Sequence, residues 1–199
     1  MKTYRTLGQA LLLAGGIAGG WTVHAMTSQD PGAPATTAVA EPANEVVSPL
    51  ETLDWMVGEW SADTPQASVA FSVKYAKNNA FLIRSFKMED KAQPDVSHSG
   101  MQIVAWDPAR SALRSWTFDA NGGFGEDVWS QLGDKYTLRT TYTLPDGGRG
   151  ASINYLSYLD VNTFVWKSTH REIDGELMPD TQEIVFQRVL EEAAPANQP

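Results

Sequence analysis

The sequence predicts an all-β fold: an antiparallel meander of about ten strands closed into a barrel, with one short helix before it. Three observations lead there. From residue 68 onward large apolar side chains alternate with small or charged ones, the two-residue period of a half-buried strand. Glycine, asparagine, aspartate and proline clusters break that pattern at roughly 10–14-residue intervals, the spacing of an all-β meander. A meander of this length closes on itself because closure removes aggregation-prone edges.

The elements follow in order. Ser48-Pro49-Leu50-Glu51 carries a capping-box pattern, with Leu50, Leu53 and Val57 on one face and Gly58 at the end. This predicts a helix that plugs or covers the core. Val69, Phe71, Val73 and Tyr75 share one face of the next segment, and Asn78-Asn79 turns it into Phe81–Met88. After a polar loop near Asp90–Asp95 come Ser99–Trp106, a turn at Asp107-Pro108-Ala109-Arg110, and Leu113–Asp119. Asn121-Gly122-Gly123 leads to Phe124–Leu132, and Gly133-Asp134 to Tyr136–Leu144. Pro145-Asp146-Gly147-Gly148 is the strongest turn signal. Ala151–Leu159, Thr163–Arg171 and Gln182–Val189 complete the series, with turns at Asp160–Asn162 and Asp174-Gly175.

The flanks differ in composition. Lys2 and Arg5 precede an apolar run over 7–20, and Val23-His24-Ala25 supplies small residues at a cleavage position, the layout of a secretory signal over 1–25. Residues 26–47 and 191–199 hold few large apolar side chains and read as a disordered tether and tail, leaving 48–190 as the folded domain. The expected location is periplasmic or secreted.

Composition narrows the function. The net charge of −9 argues against nucleic acid or an anionic membrane surface as partner. With no cysteine in the 199 residues, thiolate metal sites, thiol nucleophiles and disulfides are excluded. Gly122-Gly123-Phe124-Gly125 has no following Lys-Ser/Thr and lies between strands, so it is turn chemistry, not a phosphate loop.

The run from Leu50 to Trp60, a short helix leading into Gly58-Glu59-Trp60, resembles the opening of lipocalin-like (calycin) barrels. Trp106-Asp107-Pro108, Arg114-Ser115-Trp116-x-Phe118-Asp119, Gly122-Gly123-Phe124-Gly125 and Arg171-Glu172-x-Asp174-Gly175-Glu176 resemble a secreted bacterial lipocalin-like domain of unknown function, often fused behind a SnoaL-like domain. The resemblance covers roughly residues 50–189. It implies a lipocalin-like β-barrel able to hold a small apolar molecule, a Trp60 that closes one end, and no particular substrate. Here only the tether stands where the SnoaL-like domain would be.

The candidate ligand-binding residues are Arg84, Trp106, Arg114, Trp116, Phe118, Asp119, Trp129, Trp166 and His170. The tryptophans on separate strands serve equally as pocket walls or as core. Arg84 and Arg114 lie in apolar strands. Turned inward, either is a buried cation that needs an acid or an anionic ligand group; turned outward, it is an ordinary surface charge. Arg114 with Trp116 would then line a pocket for an acidic, partly apolar molecule, with Asp119 and Glu126 at its mouth. Some lipocalin-like barrels hold haem through one histidine on a late strand, and the resemblance makes His170 the residue for that part; no metal set or nucleophile elbow accompanies it. The expectation is a monomeric, exported binding protein for a small apolar or weakly acidic molecule, without a cofactor. The alternatives are a hydrolase or isomerase using Asp119, Glu126, Asp174 or Glu176, and an accessory protein with a filled barrel.

Overall fold

A computed structural model describes residues 49–95 and 97–190; the expected signal segment, tether and tail fall outside the described residues. The fold is all-β, a closed antiparallel barrel of ten strands with one extra strand. The strands are β1 (Gly58–Asp63), β2 (Ala67–Tyr75), β3 (Leu82–Asp90), β4 (Ser97–Asp107), β5 (Ala112–Asp119), β6 (Phe124–Leu132), β7 (Lys135–Thr143), β8 (Arg149–Asp160), β9 (Thr163–Ile173), β10 (Glu176–Met178) and β11 (Ile184–Arg188). Each of β1 to β9 pairs with the next. β11 then lies between β9 and β1 and closes the ring, while β10 adds to the far half of β9. The closing joint is short: β1 and β11 share the pairs Trp60↔Arg188 and Ser61↔Gln187.

Two strands lie outside the predicted meander. β1 has only Trp60 as a large apolar residue among Gly58, Ser61 and Ala62, so its alternation is muted. The three residues of β10 pair with β9 across the tight Asp174-Gly175 turn, where both residues take positive φ (51° and 81°).

The predicted helix is a 3-10 helix over Pro49–Met56, not an α-helix. Its buried residues are Leu50, Leu53 and Met56, every third position, as three residues per turn requires. Met56 thereby takes the place expected of Val57. The helix plugs one end of the barrel. Trp55 packs on Trp60, Tyr136, Tyr158 and Phe164, with centroids 5.3–6.3 Å apart. Its indole N–H donates to the Tyr136 hydroxyl (3.2 Å), which donates to the Thr52 carbonyl (2.7 Å). Trp60 donates to the Met56 carbonyl at 2.8 Å. Phe71, Phe164 and Phe186 continue the aromatic packing into the barrel.

Arg188 locks this end. Its guanidinium stacks on Trp60 at 4.3 Å and donates to the carbonyls of Trp55 (2.7 Å), Val57 (2.6 Å) and Val161 (2.7 Å). Gly58 lies directly against it, with φ 126°, and a Cβ there would overlap the Arg188 Nη1. Gly58→Ala is therefore expected to lower stability by about 2 kcal/mol, from backbone strain and a displaced guanidinium. A urea midpoint equal to that of the parent would contradict this.

Candidate functional site

Strand alternation sorts the candidate residues. On β3, Leu82, Arg84, Phe86 and Met88 point inward. On β5 the inward set is Leu113, Ser115, Thr117 and Asp119, and on β6 it is Gly125, Asp127 and Trp129. Arg84, Trp129 and Trp166 thus face the interior. Half-buried Trp106 packs against the core.

Arg114, Trp116 and Phe118 occupy the opposite phase of β5 and lie on the outer wall. Of the two orientations open to Arg114 in the sequence, the strand takes the outward one, and Trp116 goes with it. Arg114 stacks on Trp116 at 5.1 Å, pairs with Glu126 and reaches Asp107 at 3.4 Å. Asp107 also binds Arg110 at 3.0 Å. Arg110, whose hydrogen bond is the largest influence, together with two turn amides and Arg114, holds the Asp107 carboxyl below the usual range. The Trp-Asp-Pro turn, Arg114, Trp116 and Glu126 thus form one external ion-pair and stacking cluster. Met101, Phe118 and Phe124 lie side by side beyond it, exposed.

Asp119 caps the glycine turn, accepting from the Asn121 amide at 2.6 Å. Glu126 faces outward, so these two carboxylates do not make a shared mouth. His170 is exposed on a β9 bulge with φ 49°, its backbone amide donating to Asp180 at 3.2 Å. Among the described residues no group of three His, Asp or Glu is placed to hold a metal ion.

A polar network occupies the interior instead, and Asp127, 3% exposed, is its hub. Its Oδ2 accepts from the Ser115 hydroxyl (2.5 Å) and Gln102 Nε2 (3.0 Å), and its Oδ1 from the Thr140 hydroxyl (2.6 Å). Ser115 Oγ in turn accepts from the Trp129 indole at 2.8 Å and Thr140 Oγ1 from Asn154 Nδ2 at 2.7 Å. These bonds fix both amides. Thr140 has committed its one proton to Asp127, so Asn154 must turn its NH2 toward Thr140; the Asp127 carboxylate likewise needs the NH2 of Gln102. The oxygens Gln102 Oε1 and Asn154 Oδ1 are left pointing away from the network.

Both oxygens are buried without a hydrogen-bond partner among the described residues, and so are Arg84 Nε and Ser168 Oγ. Arg84 is the cross-strand partner of Gln102, and Asn154 of Ser168. The guanidinium lies over Phe71 at 4.1 Å. Native interiors pair the great majority of such groups, and each one left unpaired costs about 1–3 kcal/mol. A polar arc therefore runs along β3 to β9, and an aromatic arc of Trp60, Phe71, Phe164 and Phe186 completes the ring.

Burial acts on both charges. It pulls the Arg84 guanidinium down to about 10, with Asp127 opposing; the side chain stays cationic at neutral pH. Burial also raises the Asp127 carboxyl above the ordinary aspartate value, against the hydrogen bonds of Ser115, Thr140 and Gln102 and the charge of Arg84. The folded state thus holds this proton more tightly than the unfolded chain. Asp127 contributes stability at low pH that is lost as pH rises from about 4 through its folded pKa. The stability of the parent relative to Asp127→Asn is expected to decrease across that window, read by thermal denaturation at stepped pH. A gap that widens in the parent's favour would contradict the assignment.

The sequence reading passed over Gln102, Ser115, Asp127, Thr140, Asn154 and Ser168. Their signal was polarity in the inward phase: Asp127 is two residues from Trp129, and Ser115 two from Leu113. A separate groove of about 680 Å³ crosses the outer face of β11, β1, β2 and β3, lined by Ser61, Ala70, Lys87 and Gln187 among others.

Fold and interior together define a class: a closed antiparallel ten-stranded β-barrel whose core holds a buried polar arc opposite an aromatic one. No protein-family model matches the chain, and no curated protein matches its sequence.

Proposed function

We propose that this chain is an exported binding protein that holds a small, largely apolar molecule inside its β-barrel. One observation carries the reading: four buried polar atoms on Arg84, Gln102, Asn154 and Ser168 lie on inward-facing side chains with no hydrogen-bond partner among the described residues. A guest that meets them removes their desolvation penalty, and the aromatic arc supplies contact area for its apolar part. Closed barrels of this size hold one small ligand or fill with side chains, and unpaired polar atoms favour the first. The reading of export rests on the charged and apolar run before Ala25.

A hydrolase or isomerase at an acidic mouth draws less support, since Asp119 caps a turn and Glu126 pairs with Arg114 on the outer wall. Native mass spectrometry of the chain isolated from the organism that makes it tests the proposal. The expected result is a mass excess that disappears on denaturation. A spectrum of the bare chain alone, under conditions gentle enough to keep non-covalent complexes, would count against it.

A further inference from the structure

We infer that the interior selects a guest with a neutral polar end rich in N–H or O–H donors, such as a primary amide, over one ending in a carboxylate; this rests on the interior-binding reading above. The unpartnered atoms set the complement. Gln102 Oε1 and Asn154 Oδ1 are acceptors only, and their orientations are fixed by the bonds to Asp127 and Thr140. The guest must therefore bring two donors. Ser168 Oγ accepts or donates, and Arg84 requires one acceptor from the guest.

A primary amide brings two N–H donors and one carbonyl. A carboxylate brings acceptors alone: it satisfies Arg84 but leaves both amide oxygens buried and unpaired, which is the costly arrangement. The selection follows the general rule that a site built to hydrogen-bond a group rejects the analogue lacking it.

The test compares octanamide with octanoate, molecules with the same tail and different heads, by isothermal titration into the full chain at neutral pH. Octanamide is expected to bind at least about tenfold more tightly. Ser168→Ala removes a hydroxyl that has no hydrogen-bond partner among the described residues. It is expected to keep or raise the thermal midpoint, since no bond is lost and an unpaired buried hydroxyl is removed, and to weaken octanamide about three- to tenfold. Octanoate binding as tightly as octanamide, or more so, would overturn the selection while leaving interior binding standing. Unchanged octanamide affinity in Ser168→Ala would also overturn it, by putting the amide elsewhere. Binding of neither molecule would overturn the selection and the interior-binding reading together.

Discussion

Replacing Arg188 by alanine is expected to destabilise the barrel by about 3–4 kcal/mol, since a charged hydrogen bond contributes about 1.5–3 kcal/mol and partial access of water to the freed carbonyls offsets part of the loss. Arg188 is where three parts of the chain meet. It reaches the end of the 3-10 helix through Trp55 and Val57, the β8–β9 turn through Val161, and the barrel floor through Trp60. It also lies at the closing joint, where β11 meets β1 over two residue pairs. The stack on Trp60 adds about 0.5–2 kcal/mol. Arg188→Lys should recover little, because a single ammonium cannot span three diverging carbonyls. Arg171, whose guanidinium donates to one carbonyl, that of Pro179, is the matched comparison; that bond is exposed and water replaces it, so alanine there should cost about 1 kcal/mol. Chemical denaturation of the three variants checks the ranking, and equal losses for Arg188→Ala and Arg171→Ala would contradict the role given to Arg188.

Asp127→Leu is the second substitution with a large expected effect, about 3–5 kcal/mol. The loss comes from the partners left behind. Ser115, Thr140 and Gln102 each direct a proton at Asp127; leucine strands the two hydroxyls in the core and leaves Gln102 Nε2 with Ser115 Oγ at 3.1 Å. The same reasoning gives a non-additive result. Asp127→Leu, Ser115→Ala and Thr140→Val each break bonds that Asp127 shares with the other two side chains, so the triple variant should lose less than the sum of the three single losses. Independent, additive losses would show that the network is not a unit.

Much of this fold was readable because its turns are chemically explicit. Asn79, Gly122, Gly133, Gly147 and Gly175 all adopt the positive φ expected of them, and the strands between them lie within a few residues of the predicted positions. What escaped was set by tertiary structure. The 3-10 geometry depends on burial of every third residue against the barrel, and β1 is a strand mainly because β2 and β11 flank it. The candidate site was harder still. Arg114 and Trp116 sit in a strand that carries apolar or bulky residues in both phases, so sequence alone did not say which phase enters the barrel. The register does: Ser115 faces Asp127, and the conspicuous aromatic and charged residues of that stretch build the outer wall. Arg84 is the one arginine of the pair that turns inward. It lies beside a polar arc made of serine, threonine, asparagine and glutamine, residues that draw little attention in a sequence until their direction is known.

The most direct measurement is a high-resolution crystal structure of the chain isolated from the organism that makes it, without removal of bound molecules. Density is expected for a non-protein molecule within hydrogen-bond distance of Arg84, Gln102 Oε1 and Asn154 Oδ1, with its apolar part against Phe71 and Phe186. An interior in which those same atoms pair with one another, or with ordered water alone, would contradict it.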